Sequence, residues 1–347
     1  MVTGTVMKGK RGVEALVGQG VGTLKSYPPY LSRAYVKSFS LRPVANRTRN
    51  LARSDIVLVS CQRNELARLP HFFDHYRRLG VRHFLFVDND SDDGSREWLS
   101  RQPDCSVWRT TASYRRANFG MDWCNALLRR YGGGRWCVTV DPDEFLVYPR
   151  METRSLRALC QFLDDEGRRS FHALMIDAYS DRALSQTEYA IGDNPFAVCP
   201  FFDRDGYSQR AGWGRSTYIQ GGPRMRAYYA ELPEQAPALN KIPLIKWRWY
   251  YYYRSSMHDC RPLYLNNPQH RSEAPPTGCL FHFKFMSSFS AKVAEEMRRQ
   301  QHYAGSAEYK RYGSVDDLTL FRDGLSVRYE SPRQLVDLGL MNEGEWF

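Results

Sequence analysis

The stretch GRWCVTVDPDEFLVYP, from Gly134 to Pro149, sets three carboxylates between two apolar runs. Val138, Thr139 and Val140 read as the end of a β-strand, since β-branched side chains suit a pleated, half-buried surface. Asp141, Asp143 and Glu144 follow, and Phe145, Leu146 and Val147 resume the apolar pattern at once. Unpaired carboxylates in such a setting cost on the order of several kcal/mol each. A positive partner is therefore expected there: a metal ion, an arginine or a lysine.

Upstream of this stretch the chain alternates. DIVLVS from Asp55 reads as a short buried strand, and NELARLPHFFDHYRRLG as a helix started or kinked at Pro70 and closed by Gly80. RHFLFVD, CSVWRT and RWCVTVD read as further strands, with helices in DDGSREWLSRQ and NFGMDWCNALLRRYGGG. Alternation of this kind predicts an α/β fold with a mostly parallel central sheet and helices on both faces. Ligands then bind at the carboxyl ends of the strands, where the acids of VDNDSDDGS and VDPDEFL both fall. After residue 150 the alternation fades. SLRALCQFLDDEG reads as a helix, FHALMIDAYS contains a strand, and residues 190–280 show no clear period and are expected to form loops and short strands packed onto the same sheet. SFSAKVAEEMRRQQHYAG, residues 288–305, reads as a helix.

The chain has 347 residues, 42% hydrophobic and 25% charged, which fits a globular protein. Its net charge of +11 is uneven: residues 1–54 hold ten Lys or Arg against the single acid Glu14. The remainder is close to neutral, so nucleic-acid binding by the body is not expected. The basic leader suits contact with an anionic membrane surface or an acidic partner, or is simply a solvated, partly disordered tail. No apolar run reaches the ~18 residues of a membrane span. A cytoplasmic protein, peripheral to the inner face of the membrane, is expected. The eight cysteines form no CxxC pairs and read as reduced, buried thiols.

DNDSDDGSREWL fails as a calcium loop, since its sixth and twelfth positions are Asp93 and Leu99 instead of Gly and Glu. Asp88 and Asn89, at a strand end, are placed to take hydrogen bonds from a base or ribose. Asp141 and Asp143 form a DxD pair that can hold one divalent cation shared with substrate phosphates. Acids neutralised by nearby arginines are the plainer alternative. The first strand leads into SCQRNELARL, not a G-x-G-x-x-G turn, which disfavours a dinucleotide dehydrogenase. A haloacid-dehalogenase-type phosphatase opens on its DxD strand, whereas here three strands come first.

Together VSCQRNE, FVDNDSDDGS, VDPDEFL and the distant LFHFKF resemble family 2-like glycosyltransferases of the GT-A fold, close in pattern to family 92-type enzymes. The resemblance covers roughly residues 55–310. Asn89 and Asp90 replace the commoner DG, and the ED and QxxRW signatures are not seen, which sets the chain apart from processive polysaccharide synthases. The resemblance implies a Rossmann-like GT-A sheet with an irregular acceptor-side subdomain. Residues 55–150 would form the nucleotide-sugar-binding half and 151–310 the acceptor-binding half, followed by an extension over 311–347. Cys61, Arg63, Asn64, Glu65, Asp88, Asn89 and Asp141 would lie at the nucleotide. Asp141, Asp143 and His282 would hold the metal, with Asp143 as its preferred direct ligand.

Lys284 would approach the diphosphate, on the expectation that it shares a strand face with His282. Glu144 would lie beside the acceptor or support the site. The implied reaction moves a sugar from a nucleotide donor, UDP-linked by family pattern, to a glycan or lipid-linked saccharide. A divalent ion, Mn²⁺ or Mg²⁺, would assist, with inversion at the anomeric carbon. Asp259 and Asp177 are candidates for the general base, and His258 for orienting it or the acceptor. YIQGGPRMRAYY and ALNKIPLIKWRW would build the acceptor side, with Arg224, Arg226, Lys241 and Lys246 facing phosphates or an acidic glycan, or simply solvent. A metal-dependent phosphohydrolase and a catalytically inactive binding protein are the competing classes.

Overall fold

The structure is a computed structural model that describes residues 30–212, 216–271, 273–286 and 319–346. A helix over residues 30–38 (α1) leads to β1 (Arg42–Ala45), β2 (Ile56–Gln62), α2 (Leu69–Leu79) and β3 (Val81–Asp88). Then come α3 (Ser95–Arg101), β4 (Cys105–Arg109), α4 (Met121–Leu127), β5 (Trp136–Thr139) and β6 (Glu144–Val147). The second half contributes α5 (Leu156–Asp165), β7 (Ser170–Asp177), α6 (Pro195–Val198), β8 (Phe201–Asp203), β9 (Ser208–Ala211) and β10 (Thr217–Gln220). It continues with α7 (Gly222–Tyr228), β11 (Asn240–Lys246), β12 (Tyr252–Ser255), β13 (Asp259–Arg261) and β14 (Gly278–His282).

Nine strands join in one sheet, in the order β1-β4-β3-β2-β5-β11-β7-β14-β6. β2 is parallel to β3 and β5, β3 to β4, and β14 to β7. β11 runs antiparallel between β5 and β7, β6 antiparallel along β14, and β1 antiparallel along β4. Six strands (β2, β3, β4, β5, β7 and β14) thus point one way, as the α/β reading predicts. Leu58, Phe84, Phe86 and Val138 face a core with α2, α3 and α5, while Val57, Leu85, Val87 and Cys137 face another with α4. Burial of both faces explains why these strands read as nearly unbroken apolar runs.

Local signals place the elements. Pro70 occupies the first turn of α2, where its missing N–H costs nothing, and Gly80 ends the helix at φ 99°. Phe72, Phe73 and Tyr76 bury the face between, with Phe73 stacked on Phe84 at 4.1 Å. All eight cysteines are free, and every one except Cys61 is buried.

The structure refines the sequence reading at three points. Residues 42–45 of the basic leader form the sheet's edge strand, and Ala34 on α1 is buried, so residues 30–54 belong to the body. β11 lies in the middle of the sheet, although its segment shows no period. Pro243 stands inside it, where the register against β7 shifts between Lys241 and Leu244. β6 pairs with β14 from the other side of residue 150, so one sheet spans both expected halves. Leu335, Met341 and Trp346 pack into the same core. Residues 1–29 and the helix expected over 288–305 lie outside the described residues.

His75 on α2 is buried with Nε2 3.0 Å from the Leu146 carbonyl, and burial lowers its ring to about 3. In the unfolded chain the ring takes its proton near the ordinary histidine value of about 6.5. Above that pH the ring is neutral in both states. Below it the unfolded chain binds the proton first, so stability falls by up to ~1.4 kcal/mol per pH unit. Urea unfolding should show a loss of about 2 kcal/mol from this ring between pH 6.5 and 5. His75→Gln should lose that part of the acid slope, and an unchanged slope would contradict the assignment.

Candidate active site

The sheet register draws the DPDE turn and the distant histidine to one end. The Asp141 N–H donates to Glu144 Oε2 at 3.1 Å, and the Glu144 N–H to the Asp141 carbonyl at 3.0 Å, closing the turn from β5 to β6. Parallel pairing of β14 with β7 sets His282 beside Asp177, and antiparallel pairing with β6 sets it opposite Glu144. The Phe283 N–H donates to the Asp143 carbonyl at 2.9 Å. As a result His282 Nε2 stands 3.4 Å from Asp143 Oδ2, and its Nδ1 stands 2.7 Å from Asp177 Oδ1. Arg224 Nε holds the other Asp177 oxygen at 2.7 Å. Lys241 Nζ meets Glu144 Oε1 at 2.8 Å, and both side chains are buried.

Charge in this cluster is nearly balanced within the chain. Burial opposes a charge on His282, but Asp143 and Asp177 outweigh it and raise the imidazole to about 9. Burial likewise works against ionised Asp177, yet Arg224 and His282 hold its carboxyl below the ordinary value. Asp141 differs. Burial and the Glu144 charge push it up to about 7, while Lys241 pulls the other way. It is the acid of this turn that most lacks a cation.

The other expected site residues are placed less directly. Asp88 has no exposed surface. It accepts from Gln62 Nε2 at 2.7 Å and from the Ser91 N–H at 3.2 Å, with Arg96 at 3.6 Å, and burial raises its carboxyl. Asn89 is also buried and donates to the Thr110 and Ala112 carbonyls at 3.2 and 3.1 Å. Both side chains brace the loops after β3 and β4, at the strand end where contact with a base or ribose is expected. Arg63 Nη1 donates to the Asn89 and Asp90 carbonyls, Asn64 Oδ1 accepts from the Asp92 N–H, and the Glu65 N–H donates to Ser95. These three residues tie the β2 loop to the β3 loop. Cys61 packs under Gly120, whose φ is 79° and where a Cβ would come within 2.9 Å of the thiol.

Lys284 lies beyond the last residue of β14, so the shared-face argument linking it to His282 does not apply. Asp259 opens β13, with its oxygens engaged by Arg254, Arg261 and Asn266. Asp177 is shared between His282 and Arg224. His258 Nδ1 sits 2.6 Å from the Asn240 carbonyl, and burial lowers its ring to about 3. The basic residues expected to face phosphates or glycan pair internally instead: Arg224 with Asp177, Arg226 with Asp203, Lys241 with Glu144, and Lys246 with Asp164. Of the positive partners expected for the acids of DPDE, the chain itself supplies a lysine, Lys241 at Glu144; His282, expected as a metal ligand, stands beside Asp143. Gln62, which sequence reading passed over, holds Asp88 and leaves its buried Oε1 without a partner among the described residues. Its only sequence signal is an amide at a strand end.

Among the described residues no three His, Cys, Asp or Glu side chains form a complete metal cage. The donors present nevertheless fit a divalent ion held by few protein ligands. Asp143 offers an oxygen, and His282 offers a ring whose far nitrogen is fixed by a carboxylate, the arrangement that orients metal-binding imidazoles. Asp141, whose carboxyl is pushed up by burial and by the Glu144 charge, adds an oxygen ligand that a cation would help ionise.

No family model and no curated protein matches the chain in sequence. Solved structures similar in outline include a protein described as a glucose-1-phosphate thymidylyltransferase from Bacillus anthracis, in complex with a sucrose. It is 7% identical with a TM-score of 0.28, over 82% of this chain and 93% of that one. A 4-diphosphocytidyl-2C-methyl-D-erythritol synthase is 13% identical with a TM-score of 0.27, over 84% and 99%. A UDP-glucose pyrophosphorylase from Acinetobacter baumanii is 10% identical with a TM-score of 0.20, over 38% and 59%. With so little of the backbone superposing, the neighbours' chemistry stays theirs.

Proposed function

We propose that the chain is a metal-dependent glycosyltransferase that moves a sugar from a nucleotide donor, UDP-linked, to a glycan or lipid-linked saccharide. The observation that carries this reading is the Asp143–His282–Asp177–Arg224 series at the carboxyl ends of β5, β7 and β14. Asp143 and His282 would hold Mn²⁺ or Mg²⁺, with Asp141 beside them. Bound there, the ion would stabilise the charge that develops on a departing diphosphate. Asp177 acts as a positioning residue: it fixes the ring of His282 and is itself fixed by Arg224. Glu144, paired with Lys241, holds the turn that carries Asp141 and Asp143. A cavity of about 660 Å³ is lined by Gln209, Thr217, Asn240, Lys241, Asn267 and Glu273. Lys241 links this cavity to the Glu144 turn, while its walls at Ala173, Leu174 and Thr277 lie toward the start of β7 and β14, away from Asp143 and His282.

A second reading has its own support, because Lys241, His282 and Arg224 already balance much of the acid charge. A catalytically inactive fold could be stable on those pairs alone. Calorimetry with UDP-sugars, with and without Mn²⁺, separates the two. The transferase reading expects donor binding that requires Mn²⁺, followed by slow release of UDP. No metal-dependent binding of any nucleotide sugar would leave the inactive reading. Phosphate release from simple esters would instead indicate a phosphohydrolase.

A further inference from the structure

We propose that α1 and β1 form a docking surface for the interface of an anionic lipid bilayer. α1 is held to the body by one face. Tyr30 stacks on Tyr252 at 4.9 Å, Arg33 Nη2 meets Asp122 Oδ2 at 3.1 Å, and Ala34 is buried. The opposite face carries Tyr35, Val36 and Phe39, which are 60%, 61% and 71% exposed, and Val44 on β1 is 47% exposed. The rings of Tyr35 and Phe39 touch edge to face at 5.0 Å, so the two form one apolar surface. Contiguous apolar surface rimmed by polar residues is what protein and membrane interaction sites present.

Charge selects the occupant. Residues 30–54 contain Arg33, Lys37, Arg42, Arg47, Arg49 and Arg53 and no acid, and Arg42, Arg49 and Arg53 are exposed. Residues 1–29 add four cations against Glu14, whereas the chain beyond residue 54 is nearly neutral. Aromatic side chains among cations match a headgroup layer, where rings settle at the boundary and the cations meet lipid phosphates. A second copy would bring like charge against like. A nucleic acid would engage the cations but leave Tyr35, Val36 and Phe39 in water.

Flotation of the full chain with vesicles tests the surface, using phosphatidylcholine alone and phosphatidylcholine mixed with phosphatidylserine. Binding is expected to the mixed vesicles, weakened by high salt. It should fall at least about tenfold in Tyr35→Ser/Phe39→Ser with unchanged circular dichroism. Lys37→Gln/Arg42→Gln should also weaken it. The proposal is overturned by absent flotation, by equal binding to neutral vesicles, or by a serine double variant that floats like the parent. A dimer in solution that the serine variant dissolves would also overturn it, by assigning the face to a second copy.

Discussion

Asp143→Ala is expected to abolish Mn²⁺-dependent stabilisation by a UDP-sugar and to lower turnover by at least ~10²–10³-fold, the scale of losing a main electrostatic stabiliser. The fold should survive, because the Asp143 side chain is only partly buried and its backbone carbonyl still accepts from Phe283. His282→Ala should act in the same direction. Asp177→Asn should weaken Mn²⁺ by about 10–100-fold while leaving the donor chemistry intact, as removal of a ring-orienting carboxylate does. The measurement is thermal stabilisation by UDP-sugar at fixed Mn²⁺, paired with product release. Should Asp143→Ala bind metal and nucleotide as tightly as the parent, the cation does not sit between Asp143 and His282, and the proposed function loses its support.

Lys241→Met carries the largest expected cost to stability. Lys241 and Glu144 form a buried pair, and removing the lysine leaves a carboxylate beside Asp141 with its cation gone. Breaking such a pair from one side costs about 3–5 kcal/mol. The double variant Lys241→Met/Glu144→Gln should recover much of that loss, because no uncompensated charge then remains. Chemical denaturation of the parent, single and double variants reads this as a shift in midpoint at constant slope. A single-variant loss below about 1 kcal/mol, the range of an exposed pair, would show that Glu144 is not isolated from water.

What the sequence by itself determined is the part written in local pattern. Apolar strand runs, Pro70 and Gly80 around α2, and acids placed after strands specify an α/β sheet with its carboxylates at one end. Each of those signals acts within a few residues, so no long-range contact is needed to read it. The tertiary structure decided the rest. β11 was hidden because Pro243 breaks its period, and only pairing with β5 and β7 makes it a central strand. The leader's residues 42–45 became sheet through pairing with β4. The partners of the acids were decided in the same way. Lys241 lies 97 positions from Glu144, and His282 lies 139 from Asp143, so neither pairing has a local trace. A buried charge must be met by whatever cation the sheet register brings alongside it, and register is a property of the assembled strands.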